Sequence, residues 1–79
     1  MIQSWPTNDA GTSRAERREI QQFLLNKGYD IGDVDGLIGD NSRQAIRQEQ
    51  IRLGLNPTGR AGQQILAVFR AENSNKRMK

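Results

Sequence analysis

Apolar residues in this 79-residue chain recur at helical spacing in three stretches, and nowhere do they alternate with the two-residue period of a half-buried strand. In the first stretch, "SRAERREIQQFLLNKG", Ile20, Phe23 and Leu24 share one face while Arg14, Arg17, Arg18 and Glu19 lie largely off it. Ser13 and Glu16 fit the S-x-x-E capping box, in which each side chain satisfies a backbone N–H of the other residue, and Gly28 is placed to stop the helix. In the second, "DNSRQAIRQEQIRLG", Ala45, Ile46 and Leu53 form the apolar seam, Glu49 and Gln50 interrupt it, and Gly54 ends it. In the third, "GQQILAVFRAE", Ile65, Leu66 and Phe69 are the apolar side and Gly62 the N-cap. This pattern predicts an all-α fold: a small three-helix bundle with glycine-rich turns. Residues 1–12 read as an extended lead-in, 13–71 as the domain and 72–79 as a frayed basic tail. Trp5, before Pro6, either folds back over the thin core or marks a junction with a preceding domain.

Between the first two helices lies "GYDIGDVDGLIG", rich in glycine and aspartate. As an EF-hand loop with Gly36 at position 6, it has Asp33 and Asp35 at positions 3 and 5, but Ile31 at position 1 and Ser42 at position 12, so two decisive calcium ligands are missing. A phosphate-cradling turn lacks its G-K-[ST] and its preceding strand, and the aspartates oppose an anion. A shaped corner uses more of the residues. Gly36 and Gly39 admit unusual backbone angles, Asp35 accepts from loop N–H groups, and Ile31, Val34, Leu37 and Ile38 anchor the corner between helices. Asp40 then opens the second helix, where negative charge is favoured. A weak echo follows: "DGLIG" at 35–39 and "TGRAG" at 58–62 share a G-x-x-G frame 23 residues apart, each before a helix.

Composition removes several function classes. With no cysteine and no histidine the chain has no disulfide, no thiolate zinc site and none of the commonest general base. The net charge of +3 comes from Lys76, Arg77 and Lys79, since residues 1–75 carry nine basic and nine acidic side chains. A basic tail on a neutral body is the mark of a solvated end more than of a nucleic-acid arm. No segment approaches the ~20 apolar residues of a membrane span, and the N-terminus lacks a secretory apolar run. A role outside the cytoplasm would therefore make the chain a mature piece or an excised domain of something longer.

Taken together, the motifs resemble the peptidoglycan-binding domain family, a three-helix module attached to many cell-wall hydrolases. Gln21, Leu24 and Gly28 match its Q-x-x-L-x-x-x-G element. Asp35, Gly36, Gly39 and Ser42 match D-G-x-x-G-x-x-T with serine for threonine, and Ala45, Ile46, Gln50, Gly54 and Leu55 match the helix and G-L step that follow. The match runs over about residues 14–70. The Trp-Pro lead-in is similar to the C-terminal end of lytic murein transglycosylases of the membrane-bound B type. Two departures stand out: Glu49 occupies a position where the family has an aromatic residue, and requires a partner such as an arginine. The second turn has Thr58 in place of aspartate, with Arg60 and Ala61 where the family has apolar and capping residues.

The resemblance implies a non-catalytic module that targets an attached hydrolase or lytic transglycosylase to murein, in the periplasm or cell envelope. It implies a monomeric domain tethered to a catalytic one, with peptidoglycan, as stem peptide or glycan, for a partner and with no cofactor, metal, nucleic acid or membrane insertion. The expected groove lies near the first turn: Tyr29 and Ile38 as apolar walls, Asn41 and Ser42 as hydrogen-bonding groups, and Arg43 or Arg47 for a carboxylate. Each has a plainer reading, Tyr29 as a half-buried core residue and Arg43 as a solvated charge. Two other functions remain open: a helical nucleic-acid binder using the arginines of the second helix, and a protein-interaction or structural appendage that has lost its ligand.

Overall fold

The computed structural model describes residues 11–77; Trp5 and Lys79 lie outside them, as do the side chains of Lys76 and Arg77. Three helices account for the regular structure of the described residues: α1 (Arg14–Asn26), α2 (Asp40–Arg52) and α3 (Gln63–Arg77). The capping box is formed, with Ser13 Oγ accepting from the Glu16 N–H at 3.1 Å and the Glu16 carboxylate accepting from the Ser13 N–H at 2.9 Å. Both α1 and α2 end in the same two-bond closure. The Gly28 N–H donates to the Leu25 carbonyl and the Tyr29 N–H to that of Leu24; Gly54 and Leu55 repeat this onto Ile51 and Gln50.

The core is one cluster of Ile20 and Leu24 from α1, Ala45 and Ile46 from α2, Ile65, Leu66 and Phe69 from α3, with Ile31 and Ala61 from the connections. Phe23, Tyr29, Ile38 and Leu53 pack at its edge. Two expectations require correction. Leu37 is not an anchor but 62% exposed, because its backbone is held by polar bonds and its side chain faces away from the cluster. Gly39 adopts ordinary extended backbone, and a Cβ there would meet nothing. The third helix runs on through 72–77; the segment lacks Pro or Gly, and Glu72 is tied to Lys27 and Arg52.

The lead-in is pinned where it meets the domain. Thr12 is buried, its hydroxyl donating to the Ala61 carbonyl at 2.9 Å and its own carbonyl accepting from Arg17 at 2.6 Å. The Gly11 carbonyl accepts from Gln63 at 2.7 Å.

Candidate functional site

The first turn is organised by Gln21, a polar residue only 1% exposed on the apolar face of α1. Its carbonyl oxygen accepts from the Gly36 N–H at 2.8 Å, and its amide donates to the Leu37 carbonyl at 3.0 Å and to Ser42 Oγ at 3.4 Å. Arg14 and Arg17 donate to the carbonyls of Asp35 and Gly36 at 2.8 and 2.9 Å. The Asp35 carboxylate accepts from the Leu37 N–H at 2.9 Å, so it shapes the turn from within. Gly36 has φ +83°, and a Cβ there would fall 2.9 Å from the Arg14 carbonyl oxygen and 2.4 Å from Arg14 Cγ. Only glycine fits this close approach.

The second turn repeats the device. Gln50, 2% exposed, accepts from the Gly59 N–H at 2.8 Å and donates to Thr58 Oγ1 at 3.1 Å. Thr58 Oγ1 accepts from the Arg60 N–H at 3.2 Å, as Asp35 does for Leu37. Arg43 donates to the Gly59 carbonyl at 2.9 Å. Gly59 has φ +75°, and a Cβ there would lie 2.9 Å from both Arg43 Cγ and Arg47 Nε. Arg14, Arg18 and Gln21 of α1 thus correspond to Arg43, Arg47 and Gln50 of α2, each pair 29 residues apart. The two glutamines are the residues that pattern reading misses as site-builders. The signal was present: a glutamine on an apolar seam, with arginines seven and three residues before it, ahead of a G-x-x-G turn in both halves.

Ile38, Asn41, Arg43 and Arg47 gather around the first turns of α2 and the second turn of the chain. Ile38 is half-buried against the core, Asn41 and Arg47 are exposed, and Arg43 lies between. Ser42 is 2% exposed and faces Gln21, so it supports the turn from beneath. Tyr29 is not part of this group. Its hydroxyl donates to Glu49 Oε2 at 2.6 Å, about two helical turns along α2 from Ser42.

Glu49 finds the partners its burial demands. At 3% exposed, it receives Arg52 at 2.6 Å and Lys27 at 3.4 Å on one oxygen and Tyr29 on the other. Burial pushes its pKa up, but the bonds from Arg52 and Tyr29 and the charges of Lys27 and Arg52 outweigh this and hold it below the ordinary carboxylate range. Tyr29 is raised, first by its bond to Glu49. Glu72 joins through Lys27 at 3.1 Å and Arg52 at 2.9 Å. A recess of about 100 Å³ beside this network is lined by Phe23, Asn26, Lys27, Phe69, Glu72 and Asn73. It is smaller than the ~300 Å³ at which small-molecule pockets begin. Among the described residues no group of three or more acidic side chains is placed to hold a metal ion.

Two glutamine-clamped turns on a helical scaffold define a small three-helix module. A model of the family described as "Putative peptidoglycan binding domain" matches residues 13–69. The chain belongs to this peptidoglycan-binding domain family. It is 35% identical over 57 residues, 72% of its length, to the "Putative OxPP cycle protein OpcA" of Nostoc punctiforme. Its fold matches SltB3 from Pseudomonas aeruginosa in two crystal structures. In complex with NAG-anhNAM-pentapeptide the TM-score is 0.72 at 39% identity over 87% of this chain; with NAG-NAM-pentapeptide it is 0.71 at 38% over 86%. The chain spans 12% of the Nostoc protein and 18% of each SltB3 chain.

Proposed function

We propose that this chain is a non-catalytic peptidoglycan-binding module that holds an attached murein hydrolase or lytic transglycosylase on the cell wall. The observation that carries this reading is the family match over residues 13–69, which takes in all of α1 and α2, both turns and the core of α3. The likeness to SltB3, crystallised with disaccharide–pentapeptide fragments, supports the same ligand class here. Periplasmic or envelope placement follows from that ligand. A non-catalytic role is supported by Glu49, the acid that the core buries: glycoside cleavage needs one carboxylic acid kept protonated, whereas Glu49 is held below the ordinary carboxylate range with both oxygens occupied.

The binding face runs along the start of α2. Ile38 supplies an apolar wall, Asn41 a hydrogen-bonding group, and Arg43 and Arg47 positive charge, while Ser42 acts through Gln21 by holding the turn. Tyr29 contributes by anchoring Glu49. So open a face binds weakly, and tethering to a catalytic domain on a polymer of repeating ligands makes weak binding sufficient. Co-sedimentation tests the reading: the chain is incubated with insoluble murein sacculi and separately with duplex DNA across a salt series. Retention on sacculi at moderate salt is expected. Retention on DNA alone, lost steeply as salt rises, would replace this reading with nucleic-acid binding, and retention on neither would leave a structural appendage.

A further inference from the structure

We infer that the second turn is the carboxylate-reading end of this face: Arg47, with Arg60 following Gly59 in the same turn, takes a free carboxylate of a peptidoglycan stem peptide, and Thr58 admits it by standing where the first turn carries Asp35. The inference rests on the wall-binding reading and adds to it a ligand group, a location and a selectivity determinant.

Three observations lead there. First, two arginines converge on one backbone residue. Arg43 is fastened to the Gly59 carbonyl at 2.9 Å, and Arg47 Nε runs as close to Gly59 as Arg43 Cγ does, each 2.9 Å from where a Cβ would sit. Arg47 and Arg60 are both exposed, and among the described residues neither side chain makes an ion pair or hydrogen bond. A guanidinium offers a planar pair of donors that matches a carboxylate.

Second, the local charge has one sign. Residues 55–62, "LNPTGRAG", hold no acid; on α2, Asp40 lies seven residues before Arg47, and Glu49 is buried in its own ion network. The first turn differs: Arg14 is committed to a turn carbonyl as Arg43 is, but Arg17 holds a second one, and Asp35 puts a carboxylate next to Gly36, against which Arg18 packs. Third, Thr58 retains the turn-shaping bond of Asp35 without its charge, accepting from the Arg60 N–H at 3.2 Å. The substitution therefore removes a repelling carboxylate while keeping the fold of the turn.

The test is an NMR titration of the chain with a soluble disaccharide–pentapeptide bearing free carboxylates, and with the same compound amidated. The free acid should bind more tightly, with the largest shifts at residues 47 and 58–60. Arg47→Gln should weaken the free acid by about fivefold and Thr58→Asp by about threefold, the scale of one charge at an exposed site, with no change for the amide. Arg18→Gln, at the matching position of the first turn, should leave both unchanged. Asp35 fills the matching position of the first turn with the same turn-shaping bond, so Thr58→Asp should fold; Arg60→Gln is the second probe if it does not. Equal binding of free acid and amide, or an Arg18→Gln loss equal to that of Arg47→Gln, would overturn the inference. If sacculi are retained while that result is obtained, only this inference fails. If neither sacculi nor muropeptide binds, the wall-binding reading fails with it.

Discussion

The turns at 35–39 and 58–62 reach one geometry by different means. In the first, Gln21 bridges three groups across α1, the turn and α2, and the glycine sits against the backbone of Arg14. In the second, Gln50 bridges two groups within a shorter connection, and the glycine meets only arginine side chains. One turn is shaped by an aspartate, the other by a threonine. Beneath them, Ile20 of α1 is fully buried where the equivalent Glu49 of α2, 29 residues on, is a buried acid. The backbone arrangement has survived while its charges were redistributed, and a turn that looks degraded in its letters keeps its hydrogen bonds.

The glycines should separate the turns most. Gly36→Ala places a Cβ in a left-handed conformation and against a carbonyl oxygen that cannot swing aside. The conformational term and the overlap together cost about 3–4 kcal/mol. At Gly59→Ala the obstructing atoms belong to Arg43 and Arg47, which move at the expense of one hydrogen bond, and the cost falls to about 2 kcal/mol. Since each kcal/mol shifts the melting temperature of a domain this size by about 4–8 °C, thermal melts followed by circular dichroism will rank them. Equal losses would mean that the second turn is as rigidly backed as the first.

The glutamines come next. Gln21→Ala removes the acceptor for a buried Gly36 N–H and the donor to Leu37 and Ser42, and should cost about 2–3 kcal/mol, against about 2 kcal/mol for Gln50→Ala. Amide hydrogen exchange gives the sharper readout: each variant should speed exchange at its own glycine, Gly36 or Gly59, more than at the other. Loss of protection at both glycines from either variant would show that the turns open as one unit.

The helices, the capping box and the stops at Gly28 and Gly54 were legible in the sequence because each rests on contacts within a few residues. Leu37 was misread as an anchor because a loop has no period to say which way a side chain faces. The glutamine clamps reach 15 residues from Gln21 to Gly36 and nine from Gln50 to Gly59, and nothing in helical spacing distinguishes such a residue from a flaw in an apolar seam. The sequence sets the arginines of α1 off the apolar face and gives them no partner, yet Arg14 and Arg17 bind turn carbonyls. Arg43 and Arg47, expected near the first turn and the start of α2, also reach the second turn: Arg43 donates to the Ile38 carbonyl at 3.5 Å and to the Gly59 carbonyl at 2.9 Å, and Arg47 packs against Gly59, a placement that only the packing of α2 against residues 58–60 decides.

The buried acid supplies the last separation, through pH. Glu49, Glu72 and Glu19 all titrate below the ordinary carboxylate value of 4.5, Glu19 through its bond from Arg70. A carboxylate with a depressed folded pKa contributes stability that is fully present above its unfolded value and is lost as pH falls through the folded one. The domain should therefore hold its melting temperature from neutrality down to about pH 5 and lose it progressively below. Glu49→Gln keeps one acceptor oxygen, enough for Arg52 or Tyr29 but not both, and gives up the charge. Arg52 is half exposed, so solvent screens part of the pair and the cost at neutral pH is about 1–2 kcal/mol. The variant should also flatten the acid limb, because the half of the molecule built on Ile20 has no buried carboxylate at the matching position. Melts from pH 7 to pH 2 decide the matter: an acid limb as steep in Glu49→Gln as in the parent would move the sensitivity to the surface pairs of Glu19 and Glu72, and with it the sharpest chemical difference between the two halves.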